Sequence, residues 1–236
     1  MKQPAKLILI FFLLFLSKKA YLQEPSVNRY GLLVIQDAAV LKQQIAFNPA
    51  KKMLPVVAMI PNAIINLKYA DSNNFMHKKL YPSASTTYLR RAALVALTRV
   101  QQSLNKQGLS IIVWDAYRPY SVTELMWEAV KDDRYAANPA TGSAHNRGIA
   151  VDLSLADIAT GKELDMGTGF DDFSEKSHHG YQHLPAAVIK NRAMLRELME
   201  KNGFKALETE WWHYYLPDTS SYELLDIQFE ALAGMP

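Results

Sequence analysis

Three hydrophobic patterns alternate along this chain: a solid apolar run, helical stripes and strand-like runs. The solid run covers residues 7–16, behind Lys2 and Lys6. It is too short to cross a bilayer as a helix and matches the apolar region of a signal peptide. The clearest helical stripe covers 85–105. There Leu89, Ala93, Leu97, Val100 and Leu104 recur at helical spacing, Ser85 or Thr86 offers a cap, and Gly108 lies past the end. A second helix is predicted over 121–131, capped by Ser121. A third runs from Pro185, placed at a first helical position, to Asn202, with Gly203 as its stop. A short helix is expected over 37–46. Strand-like runs are 64–69, leading into the turn-rich 71–74, then 109–114, 149–155 and 204–216; 55–61 reads as an apolar extended piece. Residues 132–146, polar with Pro139 and Gly142, and most of 161–180 read as loop. No internal repeat is present. Helices interspersed with strands and hairpins predict an α+β fold: a single compact domain with a central, mainly antiparallel sheet and helices packed against it.

Composition sharpens this picture in two places. The chain has 236 residues, 49% hydrophobic and 21% charged, enough for a sizeable core without disulfides. Its formal charge of +3 comes from the leader. Residues 1–20 hold four lysines and no acid, and without them 22 basic residues face 23 acidic ones. With no clustered basic stripe, a nucleic-acid partner has no support. There is no cysteine, so no thiol for a disulfide or a lipid anchor. The expected organisation is therefore a signal peptide over 1–20 and one domain over 21–236. The mature protein is expected to be exported, periplasmic in a Gram-negative cell, with no stable membrane span. The competing expectation is a cytoplasmic protein with a non-functional leader.

Two segments carry the candidate chemistry. S-A-H-N-R-G-I-A-V-D, from Ser143 to Asp152, and E-W-W-H, from Glu210 to His213, together supply two histidines, an aspartate and an additional glutamate. That is the donor set of a catalytic zinc, which takes about three protein ligands and leaves a fourth position open, with a carboxylate beside it for proton transfer. The second segment poses a geometric problem. Residues i and i+3 of a regular strand face opposite sides, so Glu210 and His213 share a site only if the strand bulges, bends or ends there.

At these residues the chain resembles the zinc D-Ala-D-Ala dipeptidases, the VanX-like branch of the D-alanyl-D-alanine metallopeptidases. That branch shares its fold with D,D-carboxypeptidases and the Hedgehog signalling domain. The family pattern S-x-H-x-x-G-x-A-x-D followed by E-x-x-H is met at Ser143, His145, Gly148, Ala150, Asp152, Glu210 and His213. Further segments resemble the dipeptidase branch in particular: N-L-K-Y-A-D-S-N-N-F (66–75), W-D-A-Y-R-P (114–119), M-G-T-G-F-D (166–171), S-H-H (177–179) and E-W-W-H-Y (210–214). The likeness covers about residues 60 to 216. It implies that His145, Asp152 and His213 bind one zinc and that Glu210 is the general base and then acid. It also implies that Arg118 stabilises the tetrahedral intermediate, Asp171 meets the substrate ammonium and Ser143 lies near its carboxylate. The implied reaction is hydrolysis of D-Ala-D-Ala, in peptidoglycan fragment turnover or glycopeptide resistance. A D,D-carboxypeptidase or endopeptidase acting on peptidoglycan stems, and a non-catalytic zinc-containing binding module, are the alternatives.

The same residues also have plain structural readings. An arginine before a proline is most often a surface residue. Adjacent histidines such as His178 and His179 seldom face one ion, and are expected to make structural hydrogen bonds or to support the site from behind. Trp211 and Trp212 are expected to be one core residue and one pocket-wall residue. A site restricted to dipeptides further needs an acid for the ammonium, donors for the carboxylate and a wall that rejects longer chains.

Overall fold

The computed structural model of the chain describes residues 27–81 and 86–235; the expected leader and the Ser85 cap lie outside them. In order, the elements are β1 (Val34–Ile35), α1 (Ala38–Phe47), β2 (Met53–Pro55), β3 (Ile64–Ile65), β4 (Tyr88–Arg90), α2 (Arg91–Asn105), β5 (Leu109–Asp115), α3 (Tyr120–Val130), β6 (Ala150–Asp157), α4 (Ala186–Lys201), β7 (Lys205–Leu207), β8 (Glu210–Tyr215), β9 (Leu224–Leu225) and α5 (Phe229–Ala233). A five-stranded sheet in the order β3-β5-β6-β8-β7 forms the centre. Only the short β3 runs parallel to its neighbour; the other three pairings are antiparallel. Two small pairs, β1 with β9 and β2 with β4, tie distant parts of the chain together. The expected α+β architecture with a mainly antiparallel sheet is what the chain adopts. Among the described residues no helix is long and apolar enough to cross a membrane.

The helices cover the sheet as their apolar stripes require. α2 buries Ala93, Leu94, Leu97, Val100 and Leu104 and packs on β5 and α4. It begins at Arg91, later than expected, because Tyr88, Leu89 and Arg90 pair with Pro55, Leu54 and Met53 as a strand. Gln101, buried on the same stripe, accepts from the Ile111 amide at 3.0 Å and donates to the Leu109 carbonyl at 3.1 Å, welding α2 to the start of β5. α4 packs on β7 and β8; Pro185 stands just before it in extended geometry rather than inside its first turn. The expected extended stretch 55–61 folds instead into a single 3₁₀ turn at Val56–Ala58, and 64–69 yields only the two-residue β3 before another at Lys68–Ala70. Residues 204–216 are two strands, β7 and β8, joined at Glu208 and Thr209.

Ser121 does not cap α3, which starts one residue earlier at Tyr120 behind Pro119. The cap comes from Asp226, far along the chain. Its Oδ1 accepts from the Ser121 amide at 3.0 Å and the Ser121 hydroxyl at 2.7 Å, taking an amide that would otherwise lack a helical partner. Next to it the Tyr117 hydroxyl donates to the Ile227 carbonyl at 2.9 Å and accepts from the Ile227 amide at 2.8 Å. The C-terminal segment thus braces the turn that carries Arg118. Asp226→Ala is expected to destabilise the protein by about 1 kcal/mol, the usual value of a lost helix cap, with Asp226→Asn losing less. Urea unfolding of the three proteins measures this, and no change in Asp226→Ala would remove the capping role.

Candidate active site

Two irregularities in the sheet build the site. On β5 the register slips between Val113 and Asp115, so Asp115 rather than Trp114 lies opposite Asp152 on β6. Directly opposed residues share a face, and the extra residue turns Asp115 towards Asp152. Trp114 instead packs among Trp211 and Phe170, with ring centroids 5.4 and 5.5 Å away. On the other side of β6, Asp152 pairs directly with His213 of β8.

The second irregularity answers the problem of Glu210 and His213. Between β7 and β8 the register jumps: Ala206 pairs with Tyr214 while Leu207 pairs with Glu210. Glu210, Trp212, His213 and Tyr215 all line one cavity, of about 490 Å³, while Trp211 and Tyr214 are buried outside its lining. Alternation therefore holds from Glu210 to Trp212, slips by one residue, and resumes from His213 to Tyr215. The expected departure from a regular strand is present, and the tryptophan pair divides into one core residue and one wall residue. Trp211 is anchored behind the strand by donating to Thr168 Oγ1 at 2.8 Å, and Thr168 Oγ1 also lies 3.0 Å from Ser177 Oγ.

His145, Asp152 and His213 present one donor atom each within 4.8 Å of one another. His145 Nε2 is 3.2 Å from His213 Nδ1 and 3.3 Å from Asp152 Oδ2; His213 Nδ1 is 2.9 Å from Asp152 Oδ1. His145 Nδ1 lies 2.6 Å from the Ala116 carbonyl. A carbonyl only accepts, so Nδ1 carries a proton and Nε2 is the ring nitrogen that faces His213. Two ring nitrogens and a carboxylate converging in this way fit a divalent cation, and the N₂O set without sulfur suits zinc. Burial opposes the charge of Asp152, but His145 and His213 more than offset it and hold its carboxyl below the ordinary range.

Arg118 is buried, at 7% exposure, which overturns the surface reading of an arginine before proline. Its Nε and Nη2 both donate to Asp115 Oδ2, at 2.9 and 2.7 Å, and Nη2 is 3.9 Å from Asp152 Oδ2. Burial disfavours its charge, and Asp115 together with Tyr69, Tyr81 and Asp152 more than restores it. Asp115 in turn accepts at Oδ1 from the Tyr81 hydroxyl at 2.6 Å and the Ala116 amide at 2.9 Å. Asp115 lay within the W-D-A-Y-R-P segment but drew no role from sequence; the signal available there was an acid three residues from the arginine. The Arg118 amide also donates to the His145 carbonyl at 3.2 Å, so the two loops hold each other.

Ser143, Asp171 and Glu210 line the same cavity as the donor cluster. Glu210 is partly exposed there; burial pushes its carboxyl up to about 7. Burial also raises Asp171 to about 7, although it accepts from the Phe75 amide at 3.2 Å and from the Tyr69 hydroxyl at 3.1 Å. Asp171 has a φ of +58°, a left-handed conformation that costs a non-glycine residue and is often found where function fixes a side chain. Tyr69, whose ring also lies 5.0 Å from the Arg118 guanidinium, is a second residue without a role in the sequence reading. Ser143 Oγ accepts from the His145 amide at 3.1 Å, so it shapes the loop that carries His145 as well as lining the cavity. Asn146, fully buried, accepts from the Ser143 amide at 2.8 Å and donates to the Arg118 carbonyl at 2.9 Å.

His178 and His179 stand outside the donor cluster. The His179 amide donates to the Glu208 carbonyl at 2.9 Å, and its ring packs edge-on against Tyr214 at 6.0 Å. Burial lowers its imidazole to about 4. The S-H-H segment thus supports the β7–β8 hairpin from behind.

Comparison with known proteins identifies the family. The peptidase M15 family, described as D-Ala-D-Ala dipeptidase, matches residues 49–232, extending beyond both ends of the likeness read from motifs. A D-alanyl-D-alanine dipeptidase of Escherichia coli K12 is 37% identical over 178 residues, 75% of this chain and 91% of its own length. One from Enterococcus faecalis is 34% identical over 170 residues, 64% of this chain and 84% of its own. The solved structure of the vancomycin resistance D,D-dipeptidase VanXYg, in complex with a D-Ala-D-Ala phosphinate analogue, aligns with 70% of this chain and 66% of its own at 20% identity and a TM-score of 0.36. The matched segment takes in the donor cluster, Glu210, Arg118 and Asp171 together, and the chain belongs to the D-Ala-D-Ala dipeptidase family of M15 metallopeptidases.

Proposed function

We propose that this protein hydrolyses D-Ala-D-Ala to two D-alanines, using one zinc ion held by His145, Asp152 and His213. The observation that carries the reading is the slip in β8. It sets the Glu210 carboxylate in the cavity that receives the three donor atoms, with Asp171 in the same cavity. When bound, the ion supplies Lewis acidity for the scissile carbonyl and makes a water acidic near neutral pH. Glu210, raised to about 7, is matched to proton transfer at that pH. It takes a proton from the attacking water and returns it to the leaving amine. Arg118, fixed by Asp115 beside Asp152, faces the negative charge that develops on the carbonyl oxygen. Asp171 meets the substrate ammonium, and Ser143 lies towards the carboxylate.

Asp171 also favours a dipeptidase over a carboxypeptidase. A free ammonium neutralises this buried carboxylate, whereas an internal peptide bond carries no charge there and leaves it without a partner. The apolar leader further favours an exported enzyme, with the 21–236 domain acting on peptidoglycan fragments in the envelope rather than on cytoplasmic precursors.

Three outcomes are expected. His145→Ala loses zinc and turnover together, while Glu210→Ala keeps stoichiometric zinc and loses turnover by about 10² or more. Metal analysis alongside steady-state kinetics reads both, and loss of zinc from Glu210→Ala would make Glu210 a ligand. Asp171→Ala raises KM for D-Ala-D-Ala by about tenfold or more, the scale of a lost charged hydrogen bond. It also narrows the preference over N-acetyl-D-Ala-D-Ala; equal wild-type kcat/KM for the two substrates would favour the carboxypeptidase. Expression of the full chain in a Gram-negative host yields a periplasmic product lacking the 7–16 run, checked by fractionation and N-terminal sequencing. A soluble cytoplasmic product beginning at Met1 would refute export.

A further inference from the structure

Beyond Asp171 the cavity is bounded by a row of aromatic rings drawn from three separate segments. Phe75, whose amide donates to Asp171, lies edge-on to Tyr69 at 6.4 Å and to Phe173 at 5.5 Å. Phe173 lies two residues past the left-handed Asp171 and stacks on Tyr135 at 4.6 Å, the two planes 39° apart. Tyr135 belongs to the loop after α3, and the Arg134 guanidinium sits 5.1 Å from its ring while bonding Asp132 through Nε and Nη2. Neither Phe173 nor Tyr135 has a role in the chemistry above.

The row has space on both sides. Phe75 faces the main cavity. Phe173 faces a second chamber of about 240 Å³, which also reaches Glu175 and His178. Tyr135 lines both, and the two spaces share Arg134, Thr209 and Glu210 as well. The Tyr135–Phe173 stack therefore stands where the main cavity and the chamber meet. Aromatic side chains are large and have only two rotatable bonds, which suits a fixed partition.

We infer that the Tyr135–Phe173 stack is a length filter: it closes the space beyond the substrate's amino end and keeps longer peptides out of a chamber that would otherwise receive them. The inference rests on the dipeptidase reading and deepens it. Asp171 rejects a blocked amine through missing charge, whatever the length of the block. The stack rejects by length, whatever the charge, so the two contributions separate.

The test uses two compounds that both lack the ammonium but differ in length: N-formyl-D-Ala-D-Ala and N-acetyl-Gly-D-Ala-D-Ala. Zinc-loaded wild type, Tyr135→Phe, Tyr135→Ala and Phe173→Ala are compared by kcat/KM, and by calorimetric binding in a Glu210→Gln background. Wild type and Tyr135→Phe, which keeps the ring, prefer the formyl compound. Tyr135→Ala and Phe173→Ala lose about tenfold or more of that preference, chiefly through KM and Kd, as removal of several methylene-sized groups from a pocket wall requires. Equal treatment of the two compounds by wild type would overturn the filter and leave charge as the sole discriminator. An unchanged ratio in both alanine variants would also overturn it; if Phe173→Ala fails to fold or to hold zinc, Tyr135→Ala decides. Failure of wild type to cleave D-Ala-D-Ala would sink the catalytic reading alone, because the binding ratio still reads the filter.

Discussion

The pairing of Asp152 with His213 across β6 and β8 is the constraint on which the rest of the site depends. Directly opposed residues of an antiparallel pair place their side chains on one face. This gives two donors at fixed separation from backbone hydrogen bonds alone. Everything else is brought to that pair: His145 by the loop that precedes β6, Asp115 by the slip in β5, Glu210 by the slip in β8. Both irregularities fall in the strands that flank β6, and both turn a polar residue towards the site while sending tryptophan Trp114 or Trp211 into the core. A regular sheet of the same sequence would set Trp114 opposite Asp152 and turn Glu210 away from His213.

Gathering so many charges in a buried place is costly unless each has a partner. Around Arg118 the structure meets this by pairing the buried polar atoms with one another. Asp115 satisfies Arg118, Tyr81 and the Ala116 amide; His145 holds the Ala116 carbonyl at one ring nitrogen and faces the donor cluster with the other. The turn carrying Arg118 is braced by Tyr117 on the Ile227 backbone, and α3 is capped from Asp226. Segments remote from the cavity therefore decide how firmly Arg118 and His145 are held. Glu210 and Asp171 are different. Burial raises the carboxyls of both to about 7.

Much of this was legible from residue patterns, for reasons that are local. The run 109–114 is β-rich and follows a helix end, so a strand was the natural reading, and β5 is that strand with Asp115 added at its end. The stripe of α2 was visible at a period of 3.6 because its buried face is mostly apolar, whereas α4 was marked by Pro185 and Gly203 at its ends. The beginnings of α2 and α3 were less visible: strand pairing with β2 claimed the residues that could have opened α2, and Ser121 looked like a cap because the true acceptor, Asp226, is distant in sequence. Asp115, Tyr69 and the Tyr135–Phe173 stack were silent for the same reason, since each acts through a partner from another segment.

By itself the sequence determined the kinds of atoms the site contains, the strand–helix periodicity around them and, through its motifs, the family. Those properties reside in side-chain chemistry and in spacing along one element. Only the tertiary structure decided that Glu210 and His213 share a cavity, that Arg118 is buried on Asp115, and that two aromatic rings from unconnected loops meet beyond Asp171. The physical reason is that register slips and contacts between segments are settled by the packing of the whole core. A tryptophan must go inside, a charge must find its counter-charge, and no local stretch of the chain contains both partners.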